Sequence, residues 1–448
     1  MVIAVPGSAA AVVPPDADPG ALAPALGLSG NPAPLEPTEQ KTVCAEPTLS
    51  GQVPQDAPPA QRVLDLAAAW QFSRGAGQKV AVIDTGVNPH PRLPSLQPAG
   101  DYVVEGGDGL SDCDGHGTIV AGIIAARPSA DDGFVGVAPE ADVLSIRQLS
   151  LAFQAKSHAT GQTGTISDTG YGNVLTLSAA VVRATDLGAT VINISEVACS
   201  QAGTDPADGA LGAAVRYAFD HNVVVVAAAG NLQTDGPCNA QNDGSGWDGV
   251  QTIPSPAWFD KYVLSVGSVD ASGGVSALTL RGPWIGVAAI GRQIVSLDSK
   301  PGGTGLVDSV AGQDGIRSIE GTSFAAPYVA GLAALVRSRF PELTAGQVID
   351  RIERTAHAPG TGRDDSVGHG MIDPVAALTA ELSDRPSGVG TDQAHAIPEP
   401  YLAPPPDPRP RRYAVIGSIT CLSLLGIGVA LSIPLRRRRA EDFFESEL

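Results

Sequence analysis

Aromatic side chains make up only 4% of this 448-residue chain, and there are just two methionines. A core with so few rings must be packed from Ala, Val, Leu and Ile, and 53 glycines allow backbones to approach closely. Basic residues are scarce as well: 28 Lys and Arg stand against 47 Asp and Glu, a formal charge of −19. With no basic stripe, nucleic acid is excluded as a partner class. No Lys or Arg precedes Lys41. The small apolar N-terminus, with Ala9-Ala10-Ala11 placed like a signal-peptidase site, therefore lacks the basic lead of a complete secretory signal. No phosphate loop, dinucleotide fingerprint or cysteine–histidine cluster occurs, so no cofactor is expected and no ligand set for a metal ion is evident. What remains is 43% hydrophobic content, ample for one large domain with appendages.

Composition divides the chain. Residues 1–40 comprise a signal-peptide remnant and a Pro/Ala-rich arm, and 41–61 an extension wrapped on the core. An amphipathic helix is expected over Arg62–Phe72, where the main domain, 62–382, begins. Within it, Val/Ile-rich strands (Lys79–Asp84, Asp142–Arg147, Thr190–Ser195, Val223–Ala229, Tyr262–Val269) alternate with helices (His116–Ala126, Val174–Leu187, Gly209–His221, Ser323–Arg339, Ala345–Thr355). Continuous apolar strands alternating with helices predict an α/β fold, a mainly parallel sheet covered on both faces. The polar stretches Ser150–Tyr171 and Asn231–Gly249 are expected to be loops.

Beyond Leu382 lies a Pro-rich linker, 383–412, and then 413–435, which is 23 residues without a charge. That length predicts a transmembrane helix. Arg436 to Arg439 follow it and place the tail, 436–448, in the cytoplasm and the large domain outside the plasma membrane.

Four short stretches carry chemistry. The strand KVAVID ends in Asp84, where parallel sheets place their sites. Gly115-His116-Gly117 opens a small-residue helix, and Gly321-Thr322-Ser323 opens another. Ser323 alone would be taken for an N-cap. VVVVAAAGN ends in Asn231, which alone would only start a turn. Together the four resemble the subtilisin-like serine proteases, a family that is itself a standard illustration of the triad. The resemblance spans about Arg62–Leu382. It implies that Asp84 orients His116, that His116 takes the proton of Ser323, and that Asn231 donates to the oxyanion. Two DTG triplets, Asp84-Thr85-Gly86 and Asp168-Thr169-Gly170, also raise a pepsin-like aspartic protease. They lie too close for one lobe each, and that alternative leaves His116, Asn231 and Ser323 unexplained.

Export of such a domain implies two disulfides among Cys44, Cys113, Cys199 and Cys238. Of three possible pairings, Cys44–Cys113 with Cys199–Cys238 is favoured: the first ties the arm to the loop before His116, the second closes the segment between two strand ends. Cys421 falls in the apolar run. The sequence departs from the family where most subtilisins carry a Ser-Leu-Gly-Gly cleft edge. Here the edge is Ser195-Glu196-Val197. Loss of both glycines narrows backbone approach and predicts a narrow set of protein substrates.

The Pro-rich arm with its cysteine, the insertion after Ser150 and the C-terminal apolar helix further resemble the mycosins, membrane-anchored subtilases of type VII secretion systems. That resemblance implies attachment to the type VII secretion membrane complex and to the plasma membrane through the C-terminal helix. A structural role in that complex, with proteolysis secondary, is the alternative.

Overall fold

The structure, a computed structural model, describes residues 12–157, 170–234, 236–312 and 315–382, together with 422–424 and 427–428. The chain falls into two compact units, Met1–Leu382 and Ser383–Leu448. The first is built on a seven-stranded sheet: β1 (Lys79–Asp84), β2 (Leu96–Asp101), β3 (Asp142–Arg147), β4 (Val191–Ile194), β5 (Val224–Ala228), β6 (Val263–Val269) and β7 (Ile285–Ile290). The order is β7-β6-β5-β4-β1-β3-β2 and every pairing is parallel.

Alternation along the strands explains the layers. Val80 and Val82 of β1, like Val224 and Val226 of β5, face one core with α2 (His116–Ala125) and α5 (Thr322–Arg339). Ala81, Ile83, Val225 and Ala227 face the other, with α3 (Val174–Asp186) and α4 (Gly209–Asp220). A strand covered on both faces has no polar side to spare, which is why these segments are unbroken runs of Val, Ile and Ala. The last helix of this set, α6 (Ala345–Thr355), begins with a capping box between Thr344 and Gln347.

Sequence and structure differ in three places. The edge strands β2 and β7 were not among the five strands expected: LQPAGD carries Pro98 and Gly100, and its register slips between them. The single helix expected over Arg62–Phe72 is two short ones, Pro59–Val63 and Leu66–Ala69, because Asp65 takes a left-handed conformation at φ 45°. The arm is not merely extended. It forms a helix, Ala23–Ser29, whose last carbonyl accepts from Arg183 Nη1 of α3 at 2.9 Å, and a short strand, Thr38–Gln40, that pairs antiparallel with Phe153–Ala155.

Both favoured disulfides are present. Cys44–Cys113 fastens the arm beside the loop before α2, and Cys199–Cys238 joins the short strand Ala198–Gln201 to the loop that follows Asn231. The expected transmembrane helix, 413–435, lies outside the described residues except at 422–424 and 427–428, which are helical. Among the described residues no helix is long and apolar enough to cross a membrane. The signal-peptide remnant (up to residue 11), the linker, the tail and Asp168 also lie outside them.

Candidate active site

The neighbouring strands β1, β4 and β5 all point their carboxyl ends at one cleft, about 720 Å³ in volume. Asp84 ends β1, Ser195 and Glu196 follow β4, and Asn231 follows β5. Helices α2 and α5 start at the same rim and bring in His116 and Ser323. Sheet and helices together thus gather six of the expected site residues.

Asp84 is fully buried. Its Oδ1 accepts from the Thr85 backbone N–H at 2.7 Å and from His116 Nδ1 at 2.7 Å. A carboxylate oxygen accepts, so Nδ1 carries the proton and Nε2 is left as the basic nitrogen. Burial works against a charge on His116, but the Asp84 carboxylate and its hydrogen bond outweigh it, with help from Glu196 and Asp112. The imidazole pKa is held above the ordinary histidine range. The ring also leans on Phe324, centroids 4.9 Å apart.

Ser323 sits in the first turn of α5, but it is not the N-cap. Gly321 holds that position at φ 144°, a conformation reserved for glycine. Asn231 approaches the same turn with both ends of its amide. Its Oδ1 accepts from the Thr322 backbone N–H at 2.9 Å and from Thr322 Oγ1 at 3.1 Å. That fixes which end is the oxygen and turns Nδ2 toward the cleft, where it lies 3.5 Å from Ser323 Oγ.

Ser195 has a second task. Pro327 lies within α5 and has no N–H, so the carbonyl of Ser323 loses its usual helical donor. Ser195 Oγ supplies one at 2.8 Å, and in turn accepts from Asn193 Nδ2 at 2.9 Å. The expected cleft-edge serine thus lines the cleft and also props the turn that carries Ser323. Glu196 and Val197 line the cleft beside it, and Glu196 Oε1 stands 3.7 Å from His116 Nδ1.

One contributor escaped the sequence analysis. Asp112 is buried, its Oδ1 accepting from Gly115 N–H and Thr85 Oγ1, both at 2.8 Å. Its Oδ2 accepts from Thr118 N–H at 2.8 Å and Thr118 Oγ1 at 2.7 Å. Thr85 Oγ1 accepts in turn from Gly117 N–H at 2.9 Å. Asp112 thus knits the end of β1 to the start of α2 and fixes Asp84 against His116. Burial pushes its pKa up to about 6. The only signal was an acidic residue four positions before the histidine. His90, outside the cleft lining, is also buried, its Nδ1 accepting from Arg92 N–H at 3.1 Å.

Asp84, His116 and Glu196 also form the one His/Cys/Asp/Glu cluster of metal-ligand spacing among the described residues. The Nδ1 proton donated to Asp84 occupies the position an ion would need.

A buried carboxylate, an imidazole, a hydroxyl and an amide converging at the carboxyl end of a parallel sheet define a class, and sequence comparison agrees. Residues 75–370 match the Subtilase family, and the chain belongs to it: it is a serine endopeptidase. Within the family, mycosins are among its relatives and match over most of the chain. Mycosin-4 of Mycobacterium tuberculosis is 48% identical over 420 residues, 92% of this chain and 90% of that one. Among solved structures, the serine protease MycP1, described as an essential component of the type VII (ESX-1) secretion system, is 46% identical. It aligns with a TM-score of 0.76, covering 82% of this chain and 100% of its own. A chain of an intact ESX-5 inner membrane complex is 42% identical with a TM-score of 0.77, covering 94% and 100%.

Proposed function

We propose that Ser323, His116 and Asp84 form the catalytic triad of a membrane-anchored endopeptidase that processes a narrow set of secreted proteins for a type VII secretion system. The observation that carries the catalytic part is the 2.7 Å bond from His116 Nδ1 to buried Asp84, in the cleft that also holds Ser323 and Asn231. Ser323 Oγ attacks the scissile carbonyl while His116 Nε2 takes its proton. Asp84 holds the tautomer and stabilises the imidazolium, which later protonates the leaving amine. The developing oxyanion accepts from Asn231 Nδ2 and from the Ser323 backbone N–H, which the helix start leaves without an internal partner.

The chain is organised as an arm (1–40), a wrapped extension (41–61), a protease domain (62–382), a linker (383–412), a membrane helix (413–435) and a cytoplasmic tail (436–448). The protease lies on the extracytoplasmic side. Kinship with chains of the ESX-1 and ESX-5 systems supports a secretion complex as partner, and the glycine-free edge at Ser195-Glu196-Val197 supports selectivity.

The same kinship favours a second role, a structural part of the complex to which proteolysis is secondary. Replacing the chromosomal copy by Ser323→Ala separates them. Uncleaved secreted substrate with an intact complex supports the protease. Processing that continues unchanged in Ser323→Ala refutes it, and loss of secretion only on deletion of the whole chain supports the structural role.

A further inference from the structure

Apart from His116, the charged side chains that line the cleft among the described residues are all acidic. Glu196 and Asp114 line it, with Asp84 beneath and His116 between, and no Lys or Arg is among the lining residues. Asp114 is already used: its Oδ1 accepts from the backbone N–H groups of Leu151 at 2.8 Å and Ala152 at 3.2 Å, and its Oδ2 accepts from Ser150 Oγ. Glu196 is not. Its carboxylate is about one-fifth exposed, and among the described residues its one ionic neighbour is His116 at 3.7 Å. That nitrogen's proton is committed to Asp84.

When a peptide closes over the cleft it removes water from Glu196, and a half-buried carboxylate stripped of water is costly unless a cation replaces the solvent. We propose that Glu196 is a specificity-determining residue which accepts a lysine or arginine side chain of the substrate close to the scissile bond. This deepens the protease assignment above and rests on it. The groups that face Glu196 are His116, Asp84 and Asp114. Burial, chiefly, with the two aspartates adding to it, raises the Glu196 pKa against the pull of His116. A substrate cation would reverse that shift and hold Glu196 ionised. A protein of net charge −19 also draws cationic segments toward it.

The test uses full-length protein in membranes and pairs of peptidyl diphenyl phosphonates. These react covalently at the nucleophilic serine without requiring turnover. Each pair differs only in Lys or norleucine at one position on the acyl side. At one position the wild type is expected to react roughly tenfold or more faster with the Lys probe. In Glu196→Gln that ratio should fall to within about twofold, and in Glu196→Lys a Glu-bearing probe should overtake the Lys probe. Each preference is a ratio within one protein, so the folded fraction of a variant cancels. Equal or absent reaction with both members of every pair, while a neutral fluorophosphonate still labels Ser323, overturns the proposal alone. So does a Lys preference unchanged in Glu196→Gln. Failure of the wild type to react with any probe, the fluorophosphonate included, overturns the protease assignment and this proposal with it.

Discussion

Asn231 presents two different atoms to the helix that carries Ser323, and only one of them is free for chemistry. Its oxygen is held by Thr322, so its nitrogen is aimed in advance, and no reorganisation is needed as charge develops on the substrate. Asn231→Ala should lower kcat by about 10²–10³-fold with little change in KM, measured on any peptide the wild type cleaves. His116 sets the pH dependence. In the proposed triad neutral imidazole is the base, so kcat/KM should climb as pH rises through the His116 pKa, which lies above the usual histidine value. Glu196→Gln removes one anion at 3.7 Å, lowers that pKa, and should move the acid limb of kcat/KM down by roughly half to one pH unit. Asp84, His116 and Ser323 could be found in the sequence because each lies within two residues of a glycine at an element end. Asp112 could not, because its four donors come together only when the loop folds back over β1.

At the scale of elements, helix α5 contains a proline that ought to weaken it, and the fold answers from another strand. The carbonyl that Pro327 leaves without a donor belongs to Ser323, and Ser195, just past β4, supplies the bond. Ser195→Ala should destabilise the protein by about 1–3 kcal/mol in urea unfolding, since it strands a buried carbonyl. Pro327→Ala restores an N–H at the right place. In the double variant the cost of losing Ser195 should therefore shrink, and equal costs in both backgrounds would show that the two residues are not coupled. The central strands were legible because burial on both faces demands unbroken apolar runs. The edge strand β2 was not, since Pro98 and Gly100 are tolerated where one side of the ladder is free. The break at Asp65 left no mark in the apolar spacing, because it is a matter of backbone conformation.

For the whole molecule, the arm is part of the folded body rather than an appendage. It is bonded through Cys44–Cys113, paired through Thr38–Gln40, and contributes Thr42, Val43 and Ala45 to the cleft wall. An attachment of this kind survives cleavage of the chain between the two cysteines. At the other end, a chain stopped at Pro410 should be recovered in the soluble fraction after cell breakage while the full chain stays with membranes. Pelleting of the truncated chain would contradict the anchor. Both the anchor and the secretion partner depend on the existence of a competent nucleophile only if proteolysis is what the complex uses. The most direct measurement is therefore active-site titration of the purified full chain with a fluorophosphonate. Stoichiometric labelling at Ser323 is expected, abolished in Ser323→Ala and slowed by at least about a hundredfold in His116→Ala. Labelling that persists in Ser323→Ala, or its absence from a folded wild type, would refute Ser323 as the nucleophile.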